Sequence, residues 1–353
     1  MTRTAPTFDF TLDADFHDRW DRVGRRLAFR ARTRAGHRAW RRRLLAELKR
    51  LTGYDTLRPA PLRPVVTETT DRGDHIRQRV VIRTEPKVFM PVYVLIPKTG
   101  KGPWPAVLCP HGHCGGGKVC TAGVREADPR MAAVIEEYNY DYGVQYARAG
   151  LVAFCPDARG FGERRHPAYK DLLTSSCLMT HNAGIPLGQA IAGMWTWDLH
   201  RLIDYAATRK DCSPGRIGCA GLSGGGLQSL WASAFDTRIR AAVISGYFYG
   251  YREALLDQPE NCSCNYVPHL YETADMGDIG ALIAPRPVLI ETGTRDNLNG
   301  ASGLKNVRSQ VAIVKRAARL LGAPGAVVHD VFEGEHRWHG KLAVPWMVRQ
   351  LTA

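Results

Sequence analysis

From about residue 70 onward, short apolar runs alternate with longer stretches of helical periodicity. The runs 77–83 and 88–96 alternate or stay apolar as strands do, and Glu85-Pro86-Lys87 separates them as a turn. Further strand-like runs lie at 105–109, 151–155, 217–222, 241–244, 288–290 and 326–332, and helices are predicted at 131–149, 188–209, 225–235 and 304–321. This alternation predicts an α/β fold with a mostly parallel sheet covered by helices on both faces, behind an antiparallel lead-in.

The amino-terminal segment has a different pattern. Apolar residues recur there at spacings of three and four, which predicts amphipathic helices: Phe16, Trp20, Val23 and Leu27, then Trp40, Leu44 and Leu48. Residues 1–50 hold 14 Arg or Lys against 6 acidic residues, so this segment contributes +8 of the net charge of +14. We therefore divide the chain into a basic helical extension, 1–60, and a catalytic domain, 61–353, with aperiodic insertions at about 161–187 and 249–280.

A basic face of this kind is usually a solvated surface, and an acidic partner or a homo-oligomer contact through the amino-terminal helices is the alternative. We expect no nucleic-acid partner. We also expect no membrane partner, since aspartates 9, 13, 15, 18 and 21 interrupt the basic face.

Composition excludes several protein classes. With 44% hydrophobic and 23% charged residues the chain is typical of globular proteins, and it lacks the long apolar run of a membrane span or a secretory signal. The nine cysteines are odd in number and unpatterned for a disulfide framework. These features predict a cytoplasmic protein with reduced, mostly buried thiols.

The strongest chemical signal is the G-x-S-x-G pattern around Ser223, in Gly221-Leu222-Ser223-Gly224-Gly225. It follows a predicted strand and precedes a predicted helix, as a strained strand-to-helix turn requires. This context favours Ser223 as a nucleophile over a structural glycine-rich turn. The Gly224 amide, at the start of the helix, is placed to stabilise an oxyanion.

A serine nucleophile needs a base and an orienting acid, in the order Ser, Asp, His along the chain. Asp296 follows the strand in RPVLIET, and we prefer it to Asp157, which precedes the serine. His336 comes directly after the next strand, whereas the competing His339 lies three residues further on.

The second oxyanion donor is expected in the glycine-rich segment 108–117, and we assign the backbone amide of His113 to it. The same segment places His111 near His113, but without a carboxylate partner. Cys262-Ser-Cys264 is too closely spaced for the usual pair of metal ligands. The sequence therefore predicts no metal site and no cofactor.

These motifs together resemble the α/β-hydrolase superfamily, in its dienelactone hydrolase-like and acetyl xylan esterase-like branch. The resemblance covers the chain from about residue 70 and is carried by PHGH (110–113), PDARGFGER (156–164), RIGCAGLSGGG (216–226), APRPVLIETGTRD (284–296) and FEGEHRWHG (332–340). It implies an eight-stranded, mostly parallel sheet and a Ser223, Asp296, His336 triad that hydrolyses carboxylic esters through an acyl-enzyme. A serine in place of the cysteine of dienelactone hydrolase favours an esterase.

For the substrate we expect a short-chain ester, such as an acetylated carbohydrate. Candidate substrate contacts are Arg159, Trp195, Tyr247 and Tyr266, although a salt bridge for Arg159 and core packing for the aromatic residues are the structural alternatives. A thioesterase, peptidase or carbon–carbon bond hydrolase would use the same triad. A noncatalytic binding protein that uses the basic helices is the remote alternative.

Overall fold

The structure, a computed structural model, describes residues 10–113, 116–258 and 260–353. Cys114 and Gly115, which belong to the predicted oxyanion segment, lie outside the described residues, as do residues 1–9. The strands are β1 (Val65–Asp71), β2 (His75–Glu85), β3 (Val88–Pro97), β4 (Trp104–Leu108), β5 (Val152–Pro156), β6 (Cys212–Leu222), β7 (Ile239–Ser245), β8 (Val288–Gly293) and β9 (Val327–Phe332).

The described helices surround this sheet. They are α1 (Asp13–Val23), α2 (Arg34–Leu51), α3 (Lys118–Thr121), α4 (Met131–Tyr138), α5 (Tyr142–Arg148), α6 (Cys177–Gly184), α7 (Ile191–Thr208), α8 (Gly224–Phe235), α9 (Leu270–Thr273), α10 (Met276–Ala281), α11 (Leu304–Leu320) and α12 (Ala343–Thr352). Among the described helices, none is both long enough and apolar enough to cross a membrane.

The described strands form a single sheet of nine, in the order β1-β2-β3-β5-β4-β6-β7-β8-β9. The pairs β1–β2, β2–β3 and β3–β5 are antiparallel, and every pair from β5–β4 onward is parallel. The α/β fold with a mostly parallel sheet and an antiparallel lead-in is confirmed. Parallel pairing brings the carboxyl ends of β6, β7, β8 and β9 to one edge, where sites of such sheets form.

The edge strand β1 was not predicted from the sequence. Its residues, VVTETTD, are mostly polar and almost entirely exposed, so no buried apolar run marks the strand. Backbone pairing to β2 holds it, from Val65 opposite Val81 to Asp71 opposite Ile76. The eight strands implied by the resemblance are therefore nine among the described residues.

The predicted helix 131–149 is two helices. Asn139 ends α4 in a left-handed conformation, with φ of 49°, and its side-chain amide donates to the carbonyl of Trp338 at 3.1 Å. A short polar side chain tolerates this conformation, and the helix ends there. The turn ties α4 and α5 to the segment that follows β9.

Both faces of the central strands are buried. On the central strands neighbouring residues point to opposite sides, so Val243 packs with α5 and α12 whereas Ala242 and Ile244 pack with α8 and α11. The apolar strands predicted from the sequence therefore lie inside a three-layer arrangement, as expected for a covered parallel sheet.

The basic extension packs against the body. Leu44 and Leu48 of α2 are fully buried, whereas Phe16 on α1 is 47% exposed. The Arg25 guanidinium donates two hydrogen bonds of 3.0 Å to the buried carboxylate of Asp278. The amphipathic helix α2 thus lies in the main apolar core, and α1 lies at its rim.

Candidate active site

Ser223 lies on a sharp turn between β6 and α8. Its backbone has φ of 60° and ψ of −122°, a strained conformation for a residue with a side chain. The Ser223 amide donates to the carbonyl of Ser245, at the end of β7, at 2.9 Å. The strand-turn-helix context predicted around Ser223 is confirmed, and the side chain is only partly buried.

Close approaches explain the neighbouring glycines. A β-carbon at Gly221 would lie 2.7 Å from the carbonyl oxygen of Pro110, and one at Gly225 would lie 2.1 Å from it. The loop after β4 therefore passes directly over the turn, and only glycine leaves it room.

The same loop brings His113 beside the candidate nucleophile. A β-carbon at Gly112 would lie 2.9 Å from the Cβ atom of Ser223, and one at Gly224 would lie 2.8 Å from Cε1 of His113. The two segments predicted to supply oxyanion donors thus meet at Ser223. Gly224 begins α8, where unpaired amides of a helix start collect.

His111 has a structural position in this loop. Its Nε2 accepts a hydrogen bond of 3.0 Å from the Ala158 amide, and its Nδ1 lies 2.7 Å from the Gly112 carbonyl. Burial lowers the pKa of His111 to about 4, so the ring is neutral. It joins the loop after β4 to the loop after β5.

Asp296 and His336 form a hydrogen-bonded pair. Oδ2 of Asp296 lies 2.8 Å from Nδ1 of His336, and Oδ1 accepts from the Leu298 amide at 2.9 Å. The loops that carry the pair are joined beyond β8 and β9, since the Arg295 amide donates to the Gly334 carbonyl at 2.8 Å. The carboxylate is nearly buried, and the imidazole is 18% exposed.

The His336 ring lies against the end of β7. A β-carbon at Gly246 would be 2.9 Å from Cε1 of His336 and 3.0 Å from its Nδ1. Gly246 follows Ser245, whose carbonyl holds the Ser223 amide. The three predicted triad residues are therefore brought to the carboxyl ends of neighbouring strands.

The competing residues have other partners. Nδ1 of His339 lies 2.8 Å from Oδ2 of Asp330, and its ring stacks on Phe332 at 4.5 Å. Asp157 accepts from the Lys118 backbone amide at 2.6 Å and from its ammonium at 2.8 Å. Neither residue contacts the Asp296–His336 pair among the interactions of the described chain.

Three of the candidate substrate contacts have structural partners. Arg159 donates to Asp198 at 2.9 Å and to Glu85 at 2.7 Å, which is the salt bridge weighed as its alternative. Trp195 is buried and donates from its indole to the Arg159 carbonyl at 3.0 Å. Tyr247 is buried and donates to Asn265 at 2.7 Å.

Tyr266 is the exception, because it is half-buried. It lines a cavity of about 490 Å³ together with Phe16 and Trp20 of α1 and Tyr271 of α9. Tyr266, predicted as a substrate contact, thus lines a cleft that the amino-terminal extension helps to form.

One group of side chains beside the site was not predicted. The sequence analysis expected no metal site, since Cys262 and Cys264 lack the usual ligand spacing. The structure places both cysteines next to His113, with one donor atom of each residue within 4.8 Å of the others. The missed partner is distant in sequence, so the local spacing carried no signal for it.

A buried carboxyl also lies beneath the site. Glu291, on β8, accepts from the Gly340 amide at 2.9 Å, and no part of it is exposed. Burial raises the pKa of Glu291 to about 7, with a further contribution from the nearby charge of Asp330. Its position within a continuous apolar strand gave no reason to single it out from sequence.

Comparisons with known proteins agree with this architecture. A family model described as the Abhydrolase family matches residues 22–331, so the match includes α2 of the basic extension. A protein of Bacillus subtilis (strain 168) named "Putative hydrolase YtaP" is 28% identical over 263 residues, which cover 71% of this chain and 81% of that protein.

Solved structures share the fold at low identity. One is a "putative acetyl xylan esterase" from Bacteroides fragilis NCTC 9343, with a TM-score of 0.78 and 19% identity, covering 97% of this chain and 95% of that one. Another is a glucuronoyl esterase from Solibacter usitatus, with a TM-score of 0.66 and 18% identity, covering 89% of this chain and 92% of that one.

Proposed function

The chain belongs to the Abhydrolase family, and from that premise we propose that it is a serine hydrolase that cleaves carboxylic esters through an acyl-enzyme. One observation carries the proposal: the Asp296–His336 pair lies against Gly246, next to the residue that holds the strained Ser223 turn. A nucleophile, a base and an orienting acid at neighbouring strand ends are the parts that acyl transfer requires.

In the proposed mechanism, His336 takes the proton of the Ser223 hydroxyl as its oxygen attacks the ester carbonyl carbon. Asp296 accepts a hydrogen bond from Nδ1 of His336, which fixes the tautomer with Nε2 free and stabilises the imidazolium that forms. The imidazolium then gives its proton to the departing alcohol oxygen. Water repeats the attack on the acyl-enzyme and releases the acid.

The tetrahedral intermediate carries a negative oxygen that needs preorganised donors. We assign the backbone amides of Gly224 and His113 to it, because Gly224 follows Ser223 and the His113 side chain lies against Gly224. Each such donor contributes about 3 to 4 kcal/mol of transition-state stabilisation in comparable sites. The Gly224 donor is reinforced by its place at the start of α8.

For the substrate we propose a short-chain ester, with an acetylated carbohydrate as the leading class. The names of the acetyl xylan esterases among the structural neighbours support this class. Two buried rings near the site favour a short acyl group, since the Trp195 ring centroid lies 6.4 Å from that of His113 and Tyr247 lies against Gly226 of α8.

A series of p-nitrophenyl esters with acyl chains from acetyl to octanoyl tests the proposal, together with acetylated xylan and a matching acetyl thioester. We expect kcat/KM to be largest for the acetyl ester and to fall with chain length. The Ser223→Ala protein is the control for non-enzymatic turnover. Unchanged turnover by that variant, or hydrolysis of the thioester alone, would reject the ester hydrolase assignment.

A further inference from the structure

Three side chains from two distant segments meet beside the Ser223 turn, and we propose that they bind one zinc ion. The imidazole comes from His113 in the loop after β4. The two thiols come from a single turn in the second insertion, and they belong to Cys262 and Cys264.

The distances suit such a site. Sγ of Cys264 lies 3.4 Å from Nε2 of His113. In a tetrahedral zinc site, bonds of about 2.3 Å to sulfur and 2.0 to 2.1 Å to nitrogen separate such a pair of ligand atoms by about 3.6 Å. The donor atoms of His113, Cys262 and Cys264 all lie within 4.8 Å of one another.

Burial and donor chemistry also suit zinc. Cys264 is 1% exposed, whereas Cys262 is half-buried. Thiolates and an imidazole are the ligand types that zinc prefers.

The backbone around the ligands is held in place. The Cys262 carbonyl accepts from both the backbone amide and the side-chain amide of Asn265, each at 3.0 Å. Tyr247 in turn donates to Asn265 at 2.7 Å. The turn that carries Cys262 and Cys264 is thereby held to the segment after β7, as the ligands of a preformed metal site require.

Three protein ligands leave one position of a tetrahedral ion open to a small ligand such as water. Such an ion would join the loop after β4 to the second insertion. The His113 ring also lies on Gly224, where a β-carbon would be 2.8 Å from Cε1. If His113 supplies an oxyanion amide, the ion fixes the position of that donor; this second step rests on the proposed function.

Metal analysis of the full-length protein tests the site without any substrate. We expect about one zinc per chain in wild-type protein from zinc-supplemented medium, and less than a tenth of that in Cys264→Ser. Cys212→Ser is the matched control, because Cys212 is equally buried but contacts Asp211 instead of the cluster. Zinc-free wild-type protein, or equal zinc in wild type and Cys264→Ser, would overturn the proposal.

Cobalt substitution gives a second readout if Cys264→Ser does not fold. Wild-type protein loaded with Co²⁺ should show the intense near-ultraviolet thiolate-to-cobalt absorption and the visible bands of a tetrahedral ion. Absence of both, or a disulfide that includes Cys262 or Cys264 in freshly purified protein, would contradict a zinc site. Because neither measurement involves turnover, an inactive esterase would leave the metal result readable.

Discussion

The carboxyl ends of β6 to β9 and the proposed zinc site differ in how their side chains come together. At the strand ends, Ser223, Asp296 and His336 each follow a strand of the parallel part of the sheet, which brings those ends to one edge. At the proposed zinc site, His113 and Cys264 meet only because the second insertion folds against the loop after β4. Because parallel strands repeat along the chain, the order of the strands predicts which residues meet at their carboxyl ends. The residues around Cys264 meet through the path of individual loops, which the sequence pattern does not predict.

The largest expected effect separates the two histidines near the end of β9. Replacing His336 by Ala should lower kcat by about 10⁵- to 10⁶-fold, as loss of the base does in comparable triads. Replacing His339 by Ala should cost less than about tenfold, since its partner is Asp330 and not the Asp296 pair. Steady-state kinetics on p-nitrophenyl acetate measures both, and comparable losses would remove the distinction between them.

The second prediction compares Asp296 and Asp330, the aspartates that pair with these two histidines. Asp296→Asn should lower kcat by about 10⁴-fold, because an amide that donates to Nδ1 favours the wrong tautomer of His336. Asp330→Asn is the control, as Asp330 lies the same 2.8 Å from its own histidine. Asp330→Asn kinetics that match those of Asp296→Asn would transfer the acid role away from Asp296.

These comparisons show what the sequence could predict. The G-x-S-x-G motif and its flanking elements predicted the turn at Ser223. The strand order predicted that Asp296 and His336 follow two later strands at the same edge of the sheet. The polar edge strand β1 gave no apolar run, and the break at Asn139 depends on a hydrogen bond to Trp338, which lies far along the chain. Partners that only tertiary contacts supply leave no local pattern.

A third prediction concerns stability below the site. Since the pKa of Glu291 is about 7 in the folded protein and about 4.5 for the same carboxyl in an unfolded chain, the folded state binds the extra proton between these values. Its contribution is fully present below about pH 4.5 and is lost as the pH rises through about 7, by about 3 kcal/mol.

Glu291→Gln should therefore flatten the fall in unfolding free energy between pH 4.5 and pH 8, because the neutral amide keeps an acceptor for Gly340. Urea unfolding at several pH values measures this. The exposed Glu137→Gln is the matched control. A slope unchanged by Glu291→Gln would show that other groups control this pH range.

The smallest predicted effect concerns the basic extension. Arg25→Gln removes the guanidinium from the fully buried Asp278 carboxylate, which keeps its hydrogen bonds from the Phe29 and Asp275 amides. The change should cost about 2 kcal/mol, less than for a fully buried pair because the Arg25 side chain is 30% exposed. Arg22→Gln, whose partner Asp18 is 66% exposed, should cost under about 0.5 kcal/mol. Equal urea midpoints for both variants would mean that the extension contributes little to the stability of the body.

Labelling with a fluorophosphonate probe tests the central claim most directly, because the probe reacts with an activated serine and needs no knowledge of the substrate. We expect one adduct per wild-type chain, located by peptide mapping on Ser223, and no adduct on Ser223→Ala or on His336→Ala. A wild-type protein that remains unlabelled, or a label on a different residue, would contradict the assignment of Ser223 as the nucleophile.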